Sequence, residues 1–192
     1  PGAGSERKYN RVTYGDRSMI LCESGHIAEN ETFFYFTQFF TTHQIRVPQL
    51  LKIADDHKMY LLEDLGDTAL LDLVLTEGHT QHVKQLYQKA LSALQHMQIT
   101  GGREIDFSKC FAAKKFDSHA VRADLNYFKY YFLDLLPLTY NRLALREEFE
   151  QLEKAISTIS PLGFMYRDFQ GRNIMIKNDE PCFIDYQGGM QG

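Results

Sequence analysis

The stretch Tyr166-Arg167-Asp168-Phe169-Gln170-Gly171-Arg172-Asn173, followed one short reversal later by Ile184-Asp185-Tyr186-Gln187-Gly188, decides how this chain is read. A small apolar run at 163–165 feeds the first piece, and Asn173 opens a strand-like run at 174–176. The turn residues Asn178-Asp179-Glu180-Pro181 send the chain back, and a second apolar run at 182–184 ends on Asp185. A bare Asp-x-x-x-x-Asn pair arises by chance about 0.5 times in a chain of this length. The weight therefore lies in the context: a strand, a polar loop, a tight hairpin and a carboxylate at its end.

An Asp, an Asn five positions on and a second Asp closing a hairpin are the parts that phosphoryl transfer needs. One carboxylate must accept the proton of an acceptor hydroxyl, while an amide oxygen and another carboxylate hold Mg²⁺ against the phosphates of ATP. Oxygen donors are hard ligands and suit a hard cation.

Upstream, the pattern divides the chain in two. Strand-like runs at 7–14 and 18–23 flank Gly15-Asp16, a hairpin signal. Residues 29–43 carry Phe33, Phe34, Phe36, Phe39 and Phe40 at spacings of three and four, which predicts a helix buried over a broad face. Two further strands, 49–54 and 58–62, turn about Asp55-Asp56-His57 and run into Glu63-Asp64-Leu65-Gly66-Asp67, where the boundary between an N-terminal lobe, 1–65, and a C-terminal lobe, 66–192, is expected. The second lobe reads as mainly helical. Val83, Leu86, Tyr87, Ala90, Leu91, Leu94 and Met97 mark a long amphipathic helix expected to stop before Gly101-Gly102. Asp117 is a candidate cap for a helix with the stripe Val121, Leu125, Phe128, Phe132 and Leu135, ended by Pro137, and a third helix is expected over 142–159.

Composition narrows the function classes. A net charge of −4 provides no basic field for nucleic acid or an anionic membrane. Cys22, Cys110 and Cys182 are far apart, odd in number and without zinc-like spacing, which predicts buried thiols in a reducing, cytoplasmic setting. No apolar stretch reaches the roughly 18 residues of a membrane helix. Walker A, Gly-x-Ser-x-Gly and His-Glu-x-x-His signatures are absent from the sequence.

Residues 166–188 resemble the catalytic and metal-binding segments of the aminoglycoside phosphotransferase and choline kinase superfamily, whose pattern is His-x-Asp, an Asn five residues later, then Ile-Asp-Phe or Ile-Asp-Tyr. The Arg172-Asn173 pair and the Ile184-Asp185-Tyr186-Gln187-Gly188 run look most like the bacterial branch that phosphorylates the cell-wall amino sugars N-acetylmuramate and N-acetylglucosamine. Gly4-Ser5-Glu6-Arg7-Lys8-Tyr9 is similar to the phosphate-covering loop of that branch, and Leu62-Glu63-Asp64-Leu65-Gly66-Asp67 to its interlobe hinge. The resemblance implies an α+β, protein-kinase-like fold of two lobes, a small antiparallel sheet and a larger helical lobe carrying the catalytic hairpin. It implies ATP and Mg²⁺, with Asp168 as catalytic base and Asn173 and Asp185 as metal ligands. Gly4 and Ser5 would approach the phosphates, backbone groups near Glu63 and Leu65 would bond the adenine, and the acceptor would be a small molecule, a sugar or amino sugar.

The chain departs from that pattern in three places. Tyr166 stands where the family has His. The run at 18–23 has no Lys to grip the α- and β-phosphates, which leaves Arg7, Lys8 and Arg11 as candidates, Arg7 first; Glu29 or Glu31 matches the helix Glu that pairs with that Lys in the family, its role open in the absence of the Lys. Chains of this family also continue with further helices, so the sequence reads as incomplete at both ends and as part of a longer protein. The missing Lys and Tyr166 sustain an alternative, a nucleotide-binding pseudokinase or regulatory module without transfer activity. Asp124, Asn126, Tyr127 and Tyr130 are candidates for an acceptor pocket.

Overall fold

A computed structural model describes residues 7–192. Gly4 and Ser5 lie outside the described residues. Strands β1 (Lys8–Tyr14) and β2 (Arg17–Glu23) pair antiparallel with Tyr14 opposite Arg17. Gly15 between them has φ of 58°, the positive value that a two-residue hairpin turn demands of its first position. β3 (Leu50–Ile53) and β4 (Met59–Glu63) complete an antiparallel sheet of order β1-β2-β4-β3.

Helix α1 (Ile27–Thr42) packs across this sheet. Phe33, Phe36 and Phe40 follow the i, i+3, i+7 rule and are buried, while Phe34 and Phe39 are partly buried against the same core. The helix is apolar over so broad a face because it has two neighbours. Phe33 meets Tyr60 of β4 at a centroid distance of 5.3 Å on one side and Tyr186 at 5.3 Å on the other. Phe36 and Phe40 each meet Phe164 at 5.3 Å.

Past the sheet the chain is largely helical. Helix α2 (Leu70–Glu77) was not evident in the periodicity of the sequence. It has only eight residues, and its start is fixed by Asp72, whose carboxylate accepts from the Ala69 amide at 2.8 Å. Helix α3 (Gln81–Glu104) buries Val83, Leu86, Ala90 and Met97 as expected but leaves Tyr87 and Leu91 of the expected face exposed, and it runs through Gly101-Gly102 instead of stopping before them. The two glycines are there for close packing. A Cβ on Gly101 would lie 2.7 Å from Phe164 Cβ, and one on Gly102 would lie 2.7 Å from the Gly163 Cα.

Asp117 caps α4 (Ser118–Tyr131), accepting from the His119 and Ala120 amides at 3.0 Å each. This helix ends at Tyr131, so Phe132 and Leu135 fall in a following 3₁₀ turn (Leu133–Leu135) and Pro137 is not what terminates it. α5 (Arg142–Ser157) lies beside α4, joined through the Arg122 and Glu153 ion pair. The rest is short strand: β5 (Phe164–Met165), β6 (Ile174–Lys177), β7 (Glu180–Phe183) and β8 (Met190–Gln191), paired as β5-β8 and β6-β7. The described residues thus form a small antiparallel sheet with one helix and a mainly helical second part that carries the β6-β7 hairpin on α2 and α3. No helix among them is long and apolar enough to cross a membrane.

Gly102→Ala separates two effects of opposite sign. Alanine is favoured over glycine inside a helix by about 1 kcal/mol, but here its methyl meets backbone, which cannot swing aside. The expected outcome is a lower thermal midpoint; a higher one would mean that the Gly163 approach is loose.

Candidate active site

The polar loop between β5 and β6 is built by short backbone bonds. Asp168 N donates to Tyr166 O at 3.1 Å and Asn173 N to Gln170 O at 2.8 Å, which folds residues 171–173 into a 3₁₀ turn. The Asn173 side chain, buried at 7% exposure, then donates to Asp168 O at 2.9 Å. The same amide nitrogen lies 3.4 Å from Asp185 Oδ2. Hydrogen bonding through nitrogen leaves the Asn173 oxygen as its remaining polar group. The β6-β7 hairpin aligns Ile174 with Phe183, and Ile184 N donates to Asn173 O at 3.1 Å. The three residues singled out from sequence, Asp168, Asn173 and Asp185, are therefore brought together, with the Asp168 and Asp185 residues exposed. Asp185 sits at a φ of 67°, in the left-handed region that an Asp tolerates better than most residues.

Tyr166 resolves one departure from the family pattern. Its phenol is buried and donates to Ile184 O, so a structural hydrogen bond to the segment bearing Asp185 is made by a phenol instead of an imidazole. Burial pushes the acidity of that phenol down, its pKa lying well above the ordinary value, and it stays a neutral donor.

A cavity of about 420 Å³ opens between the two parts of the chain. Ile20 of β2 and Leu62 of β4 line it from the sheet, Met175 and Ile184 from the hairpin. At one end stand Glu63, Asp64, Leu65 and Gly66; at the other, Asn173, Asp185 and Gln187. The buried Leu65 has no backbone hydrogen bond among the described residues, whereas the Glu63 amide already donates to Gln49 O at 2.9 Å. The apolar walls, a free hinge amide and oxygen donors at the far end fit a nucleotide with a hard cation at its phosphates. Gln187 and Arg172, both lining this cavity, were not singled out as site residues from the sequence. Glutamine has no charge or periodicity that marks it, and only the fold shows which way it faces.

The basic residues at the start of β1 part company. Arg7 is buried, 3.2 Å from Glu29 Oε1 and 3.3 Å from Asn30 Oδ1, with its guanidinium over the Phe33 ring. Of the two acidic residues singled out on α1, Glu29 pairs with Arg7 and Glu31 with His57. Arg11 instead clamps the hinge, bonding Asp64 at 2.6 and 3.0 Å and Asp67 at 2.8 and 3.0 Å. From the opposite side Lys177 donates to Glu63 Oε1 at 2.7 Å and to Asp64 O at 2.8 Å. On the outer side of the loop Arg167 forms a bidentate pair with Asp124 of α4 at 2.7 and 3.0 Å, which brings the first turns of α4 next to Asp168. Tyr127 and Tyr130 of α4 are largely exposed.

Two measurements probe this framework. Tyr166→Phe leaves the Ile184 carbonyl without its donor, so a stability loss of about 1–3 kcal/mol in chemical denaturation is expected; an unchanged midpoint would mean that the bond contributes nothing. The guanidinium of Arg11 lowers the Asp64 carboxyl to about 2. A carboxyl depressed in the folded state stabilises fully above its unfolded pKa of about 4 and ceases to do so as pH falls through its folded value. The stability difference between the wild type and Arg11→Met should therefore shrink between about pH 4 and pH 2.

Comparison with known proteins places the chain among phosphotransferases. The chain is 25% identical over 190 residues to an N-acetylmuramate/N-acetylglucosamine kinase of Neisseria meningitidis serogroup B, covering 97% of this chain and 54% of that protein. It is 26% identical over 192 residues to the Pseudomonas aeruginosa protein of the same name, again covering 54% of the relative. The chain thus spans about half the length of these curated relatives. Among solved structures, a thermostable mutant of aminoglycoside phosphotransferase APH(4)-Ia, in ternary complex with ADP and hygromycin B, superposes with a TM-score of 0.65 at 14% identity, over 100% of this chain and 66% of that one. An ethanolamine kinase from Plasmodium vivax gives 0.59 at 10% identity, over 96% and 57%. These likenesses establish the two-lobed kinase-like fold, and the profile of the phosphotransferase enzyme family matches residues 1–192, so the chain belongs to that family.

Proposed function

We propose that the protein is an ATP- and Mg²⁺-dependent small-molecule kinase that transfers the γ-phosphoryl group to a hydroxyl of a sugar or amino sugar. The observation that carries this reading is that Asn173 and Asp185 line a cavity that Leu65 also lines, with Asp168 held beside Asn173 in the adjoining loop. The adenine lies between Ile20 and Leu62 on one side and Met175 and Ile184 on the other, hydrogen-bonded at Leu65. Asn173 and Asp185 hold the cation, which neutralises charge on the phosphates when bound.

Asp168 takes the acceptor proton. Its exposed carboxylate accepts the hydroxyl hydrogen as the oxygen forms its bond to the γ-phosphorus and the bond from that phosphorus to the departing ADP oxygen breaks. Orientation and charge stabilisation then provide most of the acceleration. Arg7, held by Glu29, supplies the buried cation–carboxylate pair that the absent Lys would otherwise form, which weakens the case for a module that binds nucleotide without transfer. Gly4 and Ser5, proposed to approach the phosphates, precede Arg7 in the chain with only Glu6 between. The division into lobes at 1–65 and 66–192 places the Leu65 backbone at the joint between them. A sugar acceptor is favoured by the names of the curated relatives and by the polar Asp124–Arg167 pair beside Asp168.

The test is Mg²⁺-dependent ATP consumption against N-acetylmuramate, N-acetylglucosamine, plain hexoses, choline and an aminoglycoside, using the chain with whatever further sequence its natural protein carries. Turnover of one sugar is expected, and Asp168→Asn should lower it by about 10²–10⁴-fold while nucleotide affinity stays near wild type. Silence across the panel with nucleotide binding intact would favour the regulatory module.

A further inference from the structure

Gln187 lies two residues beyond Asp185, lines the same cavity and is only 7% exposed. Its Nε2 donates to Asp185 Oδ1 at 2.7 Å. A carboxylate offers only acceptors, so the amide nitrogen must face it, and the orientation of the group is settled by chemistry. That leaves Oε1 buried and with no hydrogen-bond partner among the described residues. A buried amide oxygen without a donor is disfavoured and calls for an explanation.

The side chain has little room to swing away. On one side Tyr186 is fully buried, stacked on Phe33 and bonded to Thr37. On the other, Gly189 N donates to Tyr186 O at 2.9 Å, and a Cβ on Gly189 would fall 2.3 Å from the Phe164 ring. The backbone around Gln187 is thus packed from both ends, and the amide is held with one end on Asp185.

We propose that Gln187 completes the cation site: its NH₂ orients the Asp185 carboxylate, and its Oε1 supplies a third oxygen, taken up by the ion or by one of the ion's waters. Asn173, Asp185 and Gln187 then form a set of hard oxygen donors with only one negative charge among them. Asp185 Oδ1 takes the short bond from Gln187, while Oδ2, with only the long 3.4 Å contact from the Asn173 amide, keeps lone-pair capacity for the cation. The inference rests on the phosphotransferase reading above.

Binding of Mn²⁺ to the full chain in the presence of a non-hydrolysable ATP analogue, followed by electron paramagnetic resonance, tests this without relying on turnover. Gln187→Met keeps length and volume but removes both polar atoms. Its Mn²⁺ affinity should fall by about 10–100-fold, while affinity for the analogue in EDTA stays within about twofold of wild type. Gln187→Glu keeps an oxygen at the same place but loses the NH₂ that faces Asp185 Oδ1; because the bound cation offsets the added negative charge, its Mn²⁺ affinity at pH 8 should stay within about tenfold of wild type.

An unchanged Mn²⁺ affinity in Gln187→Met, or equal loss of Mn²⁺ and metal-free nucleotide binding, would overturn the proposal and leave the kinase reading standing. If Gln187→Met does not fold, Gln187→Glu decides: an affinity within about tenfold of wild type at pH 8 supports the assignment and a larger loss overturns it. A wild-type chain that binds the analogue but takes up no Mn²⁺ with it would defeat the kinase reading itself, and this inference with it.

Discussion

Tyr186 is the side chain on which the arrangement turns. It sits immediately after Asp185, has no exposed surface, stacks on Phe33 at an interplanar angle of 11°, meets Phe40 edge-on and shares a 2.6 Å hydrogen bond with Thr37. All three partners belong to α1, the helix that also carries Glu29. A single residue therefore ties the helix of the sheet lobe to the carboxylate-bearing end of the hairpin. Aromatic pairs of this kind contribute roughly 0.5–1.5 kcal/mol beyond the area they bury. Their direction matters more than their size, since Phe33, Phe36, Phe40, Phe164 and Tyr186 form one continuous cluster across the two parts.

Much of this was legible beforehand, and the reasons differ by element. The β1-β2 hairpin was announced by Gly15-Asp16, because few residues accept the turn's positive φ. The phenylalanine spacing of α1 marked a helix buried on a broad face, and the structure adds why: it is sandwiched. The meeting of Asp168, Asn173 and Asp185 followed from one loop and one hairpin, which are local. Failures came where tertiary packing overrides local signals. Gly101-Gly102 read as a helix stop by propensity, yet their lack of side chains serves the approach of residues 163–164 to α3. Phe132 and Leu135 continued the α4 stripe on paper, while the chain leaves the helix at Tyr131. Helix α2 is too short for its periodicity to stand out, and β8 pairs with β5 over two residues only.

The cations were the hardest part to place. Arg7 and Arg11 lie four residues apart and look alike in sequence, but one turns inward to Glu29 and Asn30 and the other spans to Asp64 and Asp67. Nothing local distinguishes them, because their partners are separated from them by more than 20 and more than 50 residues respectively. Lys177 is a similar case: its place at the end of β6 is readable, its reach to the hinge is not. Long-range ion pairs are set by how finished elements dock, so they appear only with the fold.

The clamps on the hinge bear on how this cavity is approached by synthetic compounds. One lone pair of the Asp64 carbonyl is already taken by the Lys177 ammonium, and the Gly66 amide is satisfied by Asp64 Oδ1 at 2.9 Å. Among the described residues neither backbone group of Leu65 has a hydrogen-bond partner. A heteroaromatic compound entering this slot would find both a donor and an acceptor there. Selectivity among compounds of that kind is then set at the other end of the cavity, where an amide side chain, Gln187, stands beside the Asp185 carboxylate.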